Sequence, residues 1–144
     1  MAEQQADRIV IEKAKRTMVL WSHGRVLRSY QVALGGNPVG PKTQQGDMRT
    51  PEGQYAIDTR NAASQYHRAL HISYPNAADR AQAKKLGVDP GGDIMIHGLP
   101  NGWGWIGKAH LLRDWTAGCI AVTDEEIEEI WRLVPNGTPV EIRP

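Results

Sequence analysis

The chain has 144 residues, 40% hydrophobic and 23% charged, with 17 basic residues against 16 acidic. That length suits one domain with a real core, and the near-neutral balance excludes a bulk electrostatic footprint for nucleic acid or a membrane surface. No apolar run approaches the ~20 residues a bilayer span needs, and a single cysteine excludes a disulfide scaffold while leaving the compartment open. The N-terminus, MAEQQADR, lacks the basic start and apolar stretch of a secretory signal, so the protein is either cytosolic or has lost its signal. Residues 1–7 read as a disordered tail and 8–144 as the domain.

In chain order, Ile9-Val10-Ile11 and Met18-Val19-Leu20-Trp21 are β-prone runs, and Val26 to Leu34 resumes the pattern after a turn over Ser22 to Arg25. The Gly- and Pro-dense segment from Gly35 to Gly53 reads as a long loop. Its Gly35, Gly40 and Lys42-Thr43 resemble a phosphate loop, but Pro41 shifts the spacing and no helix follows to supply amides. Further strands are expected at Gln54 to Asp58, Ala69 to Ser73 and Asp93 to His97. Between the last two, Asn76 to Leu86 reads as a short helix with Asn76 as N-cap and Gly87 closing it. A second helix starts at Thr123, where Thr123 and Glu126 form a capping box and acidic residues fill the first turn. Its Ile127, Ile130, Trp131 and Val134 share one face, and Pro135 ends it. Thr138 to Ile142 is a last strand. The expected class is a β-rich α+β domain with two short helices.

Cys119 lies in the stretch RDWTAGCIAVTD, after a glycine and before the capped helix. A turn there would expose the sulfur and nearby amides, and a base or cation would make it nucleophilic. Packing as a small hydrophobe is the competing reading. Five histidines are candidate partners. His23 sits in a turn. His67 and His71, four apart in what reads as a strand and with no nearby carboxylate or cysteine, do not form a zinc motif. His110 lies in a polar stretch, accessory or merely exposed. His97 ends the apolar Ile94-Met95-Ile96 and precedes Gly98, so it either faces a site or caps its strand.

His97-Gly98 followed by Thr116-Ala117-Gly118-Cys119-Ile120 resembles the signature of YkuD-type L,D-transpeptidases, whose common form is His-Gly, then Ser/Thr-His-Gly-Cys and a hydrophobic residue. Arg49-Thr50-Pro51-Glu52-Gly53-Gln54-Tyr55 looks like the family's Thr-Pro-x-Gly loop and strand, and Val134 to Val140 like its C-terminal turn. The resemblance spans residues 8 to 143. It implies a YkuD-type mixed β-sandwich or sheet, and a cysteine acyl-transfer enzyme without metal or organic cofactor. Cys119 would attack a peptidoglycan stem between its third residue, commonly a diamino acid, and the terminal D-alanine. His97 would be the base, oriented by the Gly98 carbonyl, with amides near Gly118 and Cys119 as oxyanion donors. An acceptor stem would give a cross-link, and water would give L,D-carboxypeptidase activity.

Two positions depart from the pattern. Ala117 replaces the second histidine, and Ala121 stands where many members carry an arginine that would anchor a substrate carboxylate or carbonyl. Arg113, Arg49 or His110 would be its substitutes. Asp114 to Cys119 looks like a distinct branch, some of whose members are hydrolases releasing lipoprotein from peptidoglycan. Trp103, Trp105 and Trp115 flank the motifs, as wall of the site or as packing beneath the loop LPNGWGWIG. These tryptophans, the three candidate substitutes, and Thr116 and Ala117 are the expected substrate contacts. The implied partners are donor and acceptor stem peptides, with carbapenem-type inhibitors, and no nucleic acid or membrane segment. The implied location is the periplasm or cell envelope, any export signal being absent from this chain. A degenerate peptidoglycan-binding module that kept its cysteine for packing is the reading from outside the enzymes.

Overall fold

The β-prone runs of the first third form a meander at one end of a single sheet, in a computed structural model that describes residues 4–144. Strand β1 (Arg8–Glu12) pairs antiparallel with β2 (Thr17–Ser22), and β2 with β3 (Arg25–Gln31). Along β2, Met18, Leu20 and Ser22 are buried alternately, as the two-residue period of a strand requires. The β2–β3 turn uses His23 and Gly24, both at positive φ (51° and 75°), which matches the twist of a tight hairpin. Residues 1–3, part of the expected tail, lie outside the described residues. Ordered packing nevertheless begins before residue 8: Ala6 is buried, and its N–H donates to the Leu133 carbonyl at 2.8 Å.

The sheet continues through β8 (Pro139–Arg143), parallel to β1, and β4 (Gly53–Ser64), antiparallel to β8. It then runs through β5 (His67–Ile72), β6 (Met95–His97) and β7 (Ile120–Ala121), giving the order β3-β2-β1-β8-β4-β5-β6-β7. Among the described strand pairs, β1–β8 and β6–β7 are the parallel ones. Isolated bridges Ala33↔Ala121 and Gly35↔Thr116 tie the segment after β3 back to β7, so the sheet curls on itself. The fold is the β-rich mixed sheet that the sequence led one to expect.

Helix α1 (Ala77–Leu86) has a capping box between Asn76 and Asp79 and ends at Gly87, φ 69°. Helix α2 (Asp124–Leu133) is capped by Thr123, which accepts from the Glu126 N–H while Glu126 returns the bond. Ile127, Ile130 and Leu133 are its buried residues, facing β5 and β6. Trp131 lies at the rim of that face, with the Arg60 and Arg68 guanidiniums 4.3 and 4.8 Å from its ring centroid. No described helix is long and apolar enough to cross a membrane.

Three elements differ from the expectations. β4 runs on to Ser64, because β5 pairs with the polar Thr59 to Ser64 across two register shifts, a tertiary contact with no hydrophobic pattern behind it. The β3 ladder stops at Gln31, and Val32 to Leu34 turns away to meet β7. The Gly- and Trp-rich loop carries a 3-10 stretch (Gly104–Leu112) broken at Gly107, whose φ of 56° is not helical.

Ile127 is fully buried, and its Cγ2 sits 3.1 Å from where a side chain on Gly98 would begin. Ile127→Ala should therefore destabilise the domain by about 2–5 kcal/mol, read as a lower urea midpoint at unchanged slope. A change within about 0.5 kcal/mol would show that α2 does not brace this end of the sheet.

Candidate active site

Parallel pairing of β6 and β7 matches Ile96 with Ile120 and His97 with Ala121, and so brings Cys119, the residue before β7, next to Met95 at the start of β6. The half-buried Cys119 Sγ–H donates to the Asp93 carbonyl at 3.2 Å. Cys119 and His97 both line a groove of about 630 Å³, whose other wall includes Tyr66 and the tip of the β4–β5 hairpin. On its other side Cys119 lines a smaller cavity of about 190 Å³ with Lys42, Asp93 and Ala117. Cys119 thus borders both spaces.

His97 is 3% exposed. Its Nδ1 lies 2.7 Å from the Gly98 carbonyl, an acceptor, so Nδ1 carries the proton and Nε2 keeps its lone pair. The Tyr66 ring stacks on the imidazole at 4.3 Å between centroids, and Trp115 lies at 5.8 Å, tilted 57°. Burial between them holds the imidazole below its usual pKa. The Gly98 bond opposes that shift, and the neighbouring His110 adds to it. Burial pushes the Cys119 thiol up, the Met95 N–H opposes that shift, and smaller effects of the Asp93 charge (upward) and Lys42 (downward) follow. At neutral pH both groups are uncharged: a thiol and a free-base imidazole lining one groove.

Backbone geometry fixes this pair from both sides. Gly118 has φ 138°, and a side chain there would meet the Arg49 carbonyl at 2.7 Å, so only glycine lets the turn before Cys119 lie on that loop. A Cβ on Gly98 would meet Asp124 Oδ1 at 2.7 Å and the Tyr66 carbonyl at 3.0 Å. Thr116 is buried and braces the turn internally: its Oγ1 accepts from the Gly118 N–H (3.1 Å) and donates to the Cys119 carbonyl (2.7 Å). Upstream, Asp114 accepts from the Arg16 guanidinium (2.8 Å to Nη2) and from the Leu34 N–H (3.1 Å).

The expected substrate contacts divide. Ala117 is exposed beside Cys119. Thr116 faces its own turn, and Arg49 contributes its backbone to the Gly118 contact while its guanidinium reaches Gly40. Trp103, His110, Arg113 and Trp115 line a separate apolar pocket of about 350 Å³. Trp105 is 79% exposed and stacks on Trp103 at 6.1 Å. None of Arg49, Arg113 and His110 therefore lines either space at Cys119. His110, which the polar sequence around it left open to exposure, is instead buried. Its Nδ1 accepts from Trp115 Nε1 at 3.2 Å, and its Nε2 has no hydrogen-bond partner among the described residues. His67 and His71 face carboxylates, Glu128 (2.9 Å) and Asp58 (2.6 Å), rather than each other.

Three neighbours of the sulfur and imidazole carried no signal as site residues in the sequence. Tyr66 arrives by a hairpin that pattern reading ends early, Asp93 by a positive-φ (55°) loop position, and Lys42 from the loop set aside as a failed phosphate motif.

Residues 6–142 match the family model of the YkuD L,D-transpeptidase catalytic domain. The chain is 32% identical over 133 residues to YafK of Escherichia coli K12, provisionally named an L,D-transpeptidase, covering 88% of this chain and 46% of that protein. The helical cell shape determining protein Pgp2 from Campylobacter jejuni superposes with a TM-score of 0.72 at 24% identity, over 99% of this chain and 49% of Pgp2. An L,D-transpeptidase from Mycobacterium smegmatis gives 0.61 at 15% identity, over 96% and 59%. The chain thus spans about half the length of YafK and Pgp2.

With Tyr66 covering one face of the imidazole, Tyr66→Ala should readmit water to the protonated ring and raise the His97 pKa from below 6.5 toward that value. Proton NMR of the ring across pH 4 to 8 reads this directly, and an unmoved titration would remove Tyr66 from the account.

Proposed function

We propose, on the premise that the chain belongs to the YkuD family of L,D-transpeptidase catalytic domains, that it cross-links peptidoglycan stem peptides through a Cys119 thioester. The observation that carries this reading is the shared groove of Cys119 and His97, with His97 Nδ1 held by Gly98 and Nε2 left basic. His97 Nε2 takes the thiol proton as Sγ attacks the carbonyl between the third stem residue and the terminal D-alanine. The S–C bond forms, the C–N bond breaks, and the same proton passes to the departing D-alanine amine. An acceptor-stem amine then attacks the thioester, gives a proton to His97 and releases Cys119, leaving a new amide. Because Thr116 Oγ1 already occupies the Gly118 N–H, the Cys119 N–H is the amide assigned to the oxyanion, a donor worth about 3–4 kcal/mol.

Beginning from two neutral groups, this chemistry needs no preformed ion pair, and Gly98, Tyr66 and Trp115 act by holding the imidazole. Trp103, Trp105 and Arg113 are assigned to the stem or glycan beyond Trp115. Because the substrate is a wall polymer, the reading places the protein in the periplasm or cell envelope, in a role that serves wall assembly and cell shape.

Cys119→Ala should abolish acylation by a carbapenem, and His97→Gln should slow it by about 10²–10⁴-fold, both followed by intact-protein mass. In the unaltered protein the imidazole must be free base, and its pKa is depressed. Acylation should therefore stay level from pH 8 down to 6.5 and fall only below that. Products from purified stems decide the acceptor: a cross-linked mass that requires an added acceptor stem is expected. A product shortened by D-alanine alone would make water the acceptor, and a Cys119 that resists labelling would leave a binding module.

A further inference from the structure

The 3-10 stretch Gly104–Leu112 has one buried residue, and that residue is a histidine. Trp105 and Leu112 of the same stretch are 79% and 88% exposed, so the interior position has gone to the more polar side chain. His110 Nδ1 accepts from Trp115 Nε1 at 3.2 Å, the only hydrogen bond of either ring among the described residues. In a neutral imidazole an accepting Nδ1 leaves the proton on Nε2. That N–H is buried without an acceptor, a standing cost that a leucine or phenylalanine would not carry. Packing alone does not account for a histidine here, whereas the bond to Trp115 does.

The indole so restrained is a wall of the His97 site. Trp115 lies 5.8 Å from the His97 ring and 6.1 Å from Tyr66, whose own ring stacks on the imidazole. A proton on His110 Nδ1 turns the acceptor into a donor. Two donors then face each other across 3.2 Å, and both N–H groups of the ring lack acceptors. The charged groups around His110 do not relieve this. Glu126 of α2 favours the charged ring, but its Oε1 already accepts from the Thr123 N–H at 2.8 Å. His97 of β6 disfavours it, Arg113 lines the same apolar pocket, and Lys108 of the stretch itself is exposed. Burial is the largest effect and holds His110 below its usual pKa, so the bond stands at neutral pH and is lost in acid.

We infer that His110 is a positioning residue for His97: its Nδ1 holds Trp115 against the imidazole, and a proton on His110 releases that wall. The inference rests on the acyl-transfer reading only for its kinetic consequence. Above the titration of His110, Trp115 is held and His97 stays sealed in its free-base form. Below it, water reaches the His97 ring. Acid therefore disables the site through two protons, one on His97 itself and one on His110.

The test compares His110→Asn, whose side-chain oxygen accepts from Trp115 Nε1 but does not titrate, with His110→Leu, which fills the space without an acceptor. Two readouts are followed across pH 4 to 8. One is proton NMR of the His97 ring and the Trp115 indole N–H, and the other is carbapenem acylation by intact-protein mass. At pH 7.5 His110→Asn should acylate about 5- to 10-fold faster than His110→Leu, the equivalent of one net hydrogen bond. The acid fall in rate should be steeper than one proton in the unaltered protein and follow one proton in His110→Asn. The Trp115 N–H signal should move with pH in the unaltered protein and stay fixed in His110→Asn. Equal rates for the two variants, or an acid fall as steep in His110→Asn as in the unaltered protein, overturn the inference. If His110→Leu does not fold, the steepness and the indole signal of His110→Asn decide alone. If Cys119 is acylated in no form of the protein, the acyl-transfer reading fails, and the NMR signals still decide whether His110 holds Trp115.

Discussion

Two residue pairs decide the architecture of this protein: Ile96 with Ile120, and His97 with Ala121, in the parallel pairing of β6 and β7. A parallel register needs a long crossover, and here it runs through the 3-10 stretch and the turn before Cys119. The Val122 N–H closes the register on the His97 carbonyl at 3.0 Å, and Ala121 bridges Ala33 on its other side. Ala121 is accordingly at 0% exposure, between two backbones. A guanidinium at that position would have to be buried without room or partner, a cost of several kcal/mol. In this chain the alanine is what the packing admits, and any substrate anchor has to come from elsewhere.

The same pairing explains the electrostatic character of the site. His97 is sealed beneath Tyr66 and Trp115, and Cys119 faces a carbonyl and a carboxylate-bearing loop, so burial keeps each in its neutral form. Charges are kept to the supports. Arg16 and Asp114 pin the start of the turn before Cys119 to the segment after β3, and Lys13 gathers Gly40, Thr50 and Glu52 of the long loop. Lys13, the buried charge among these, has all three donors satisfied, which is what makes it tolerable. The long loop is thereby held against Gly118, where the Arg49 carbonyl leaves no space for a side chain.

Much of this was legible before folding. Both capped helices are written locally, because a side chain and an amide three residues apart decide each start. Apart from the far ends of β3 and β4, the strand runs with apolar character stand within a residue or two of their expected places. The motif residues His97, Gly98, Gly118 and Cys119 were identifiable as a set by resemblance, since the pattern of glycines and reactive side chains is carried along the chain itself. Where reading failed, the determining contact was between segments far apart. Thr59 to Ser64 become strand only because β5 lies alongside, and His110 is buried only because Trp115 folds over it.

The sequence by itself determined the class and the caps, and by resemblance singled out Cys119 and His97, all through neighbouring residues or short motifs. Only the tertiary structure decided what surrounds the sulfur. Tyr66, Lys42 and Asp93 come from a hairpin tip, a loop and a strained turn with no shared pattern in the chain, and sheet register brings them together. It also removed Thr116, Arg49 and Arg113 from the cavities at Cys119, although they lie near the motifs. Proximity along a chain says little about which way a side chain points once strands have paired and a turn has closed.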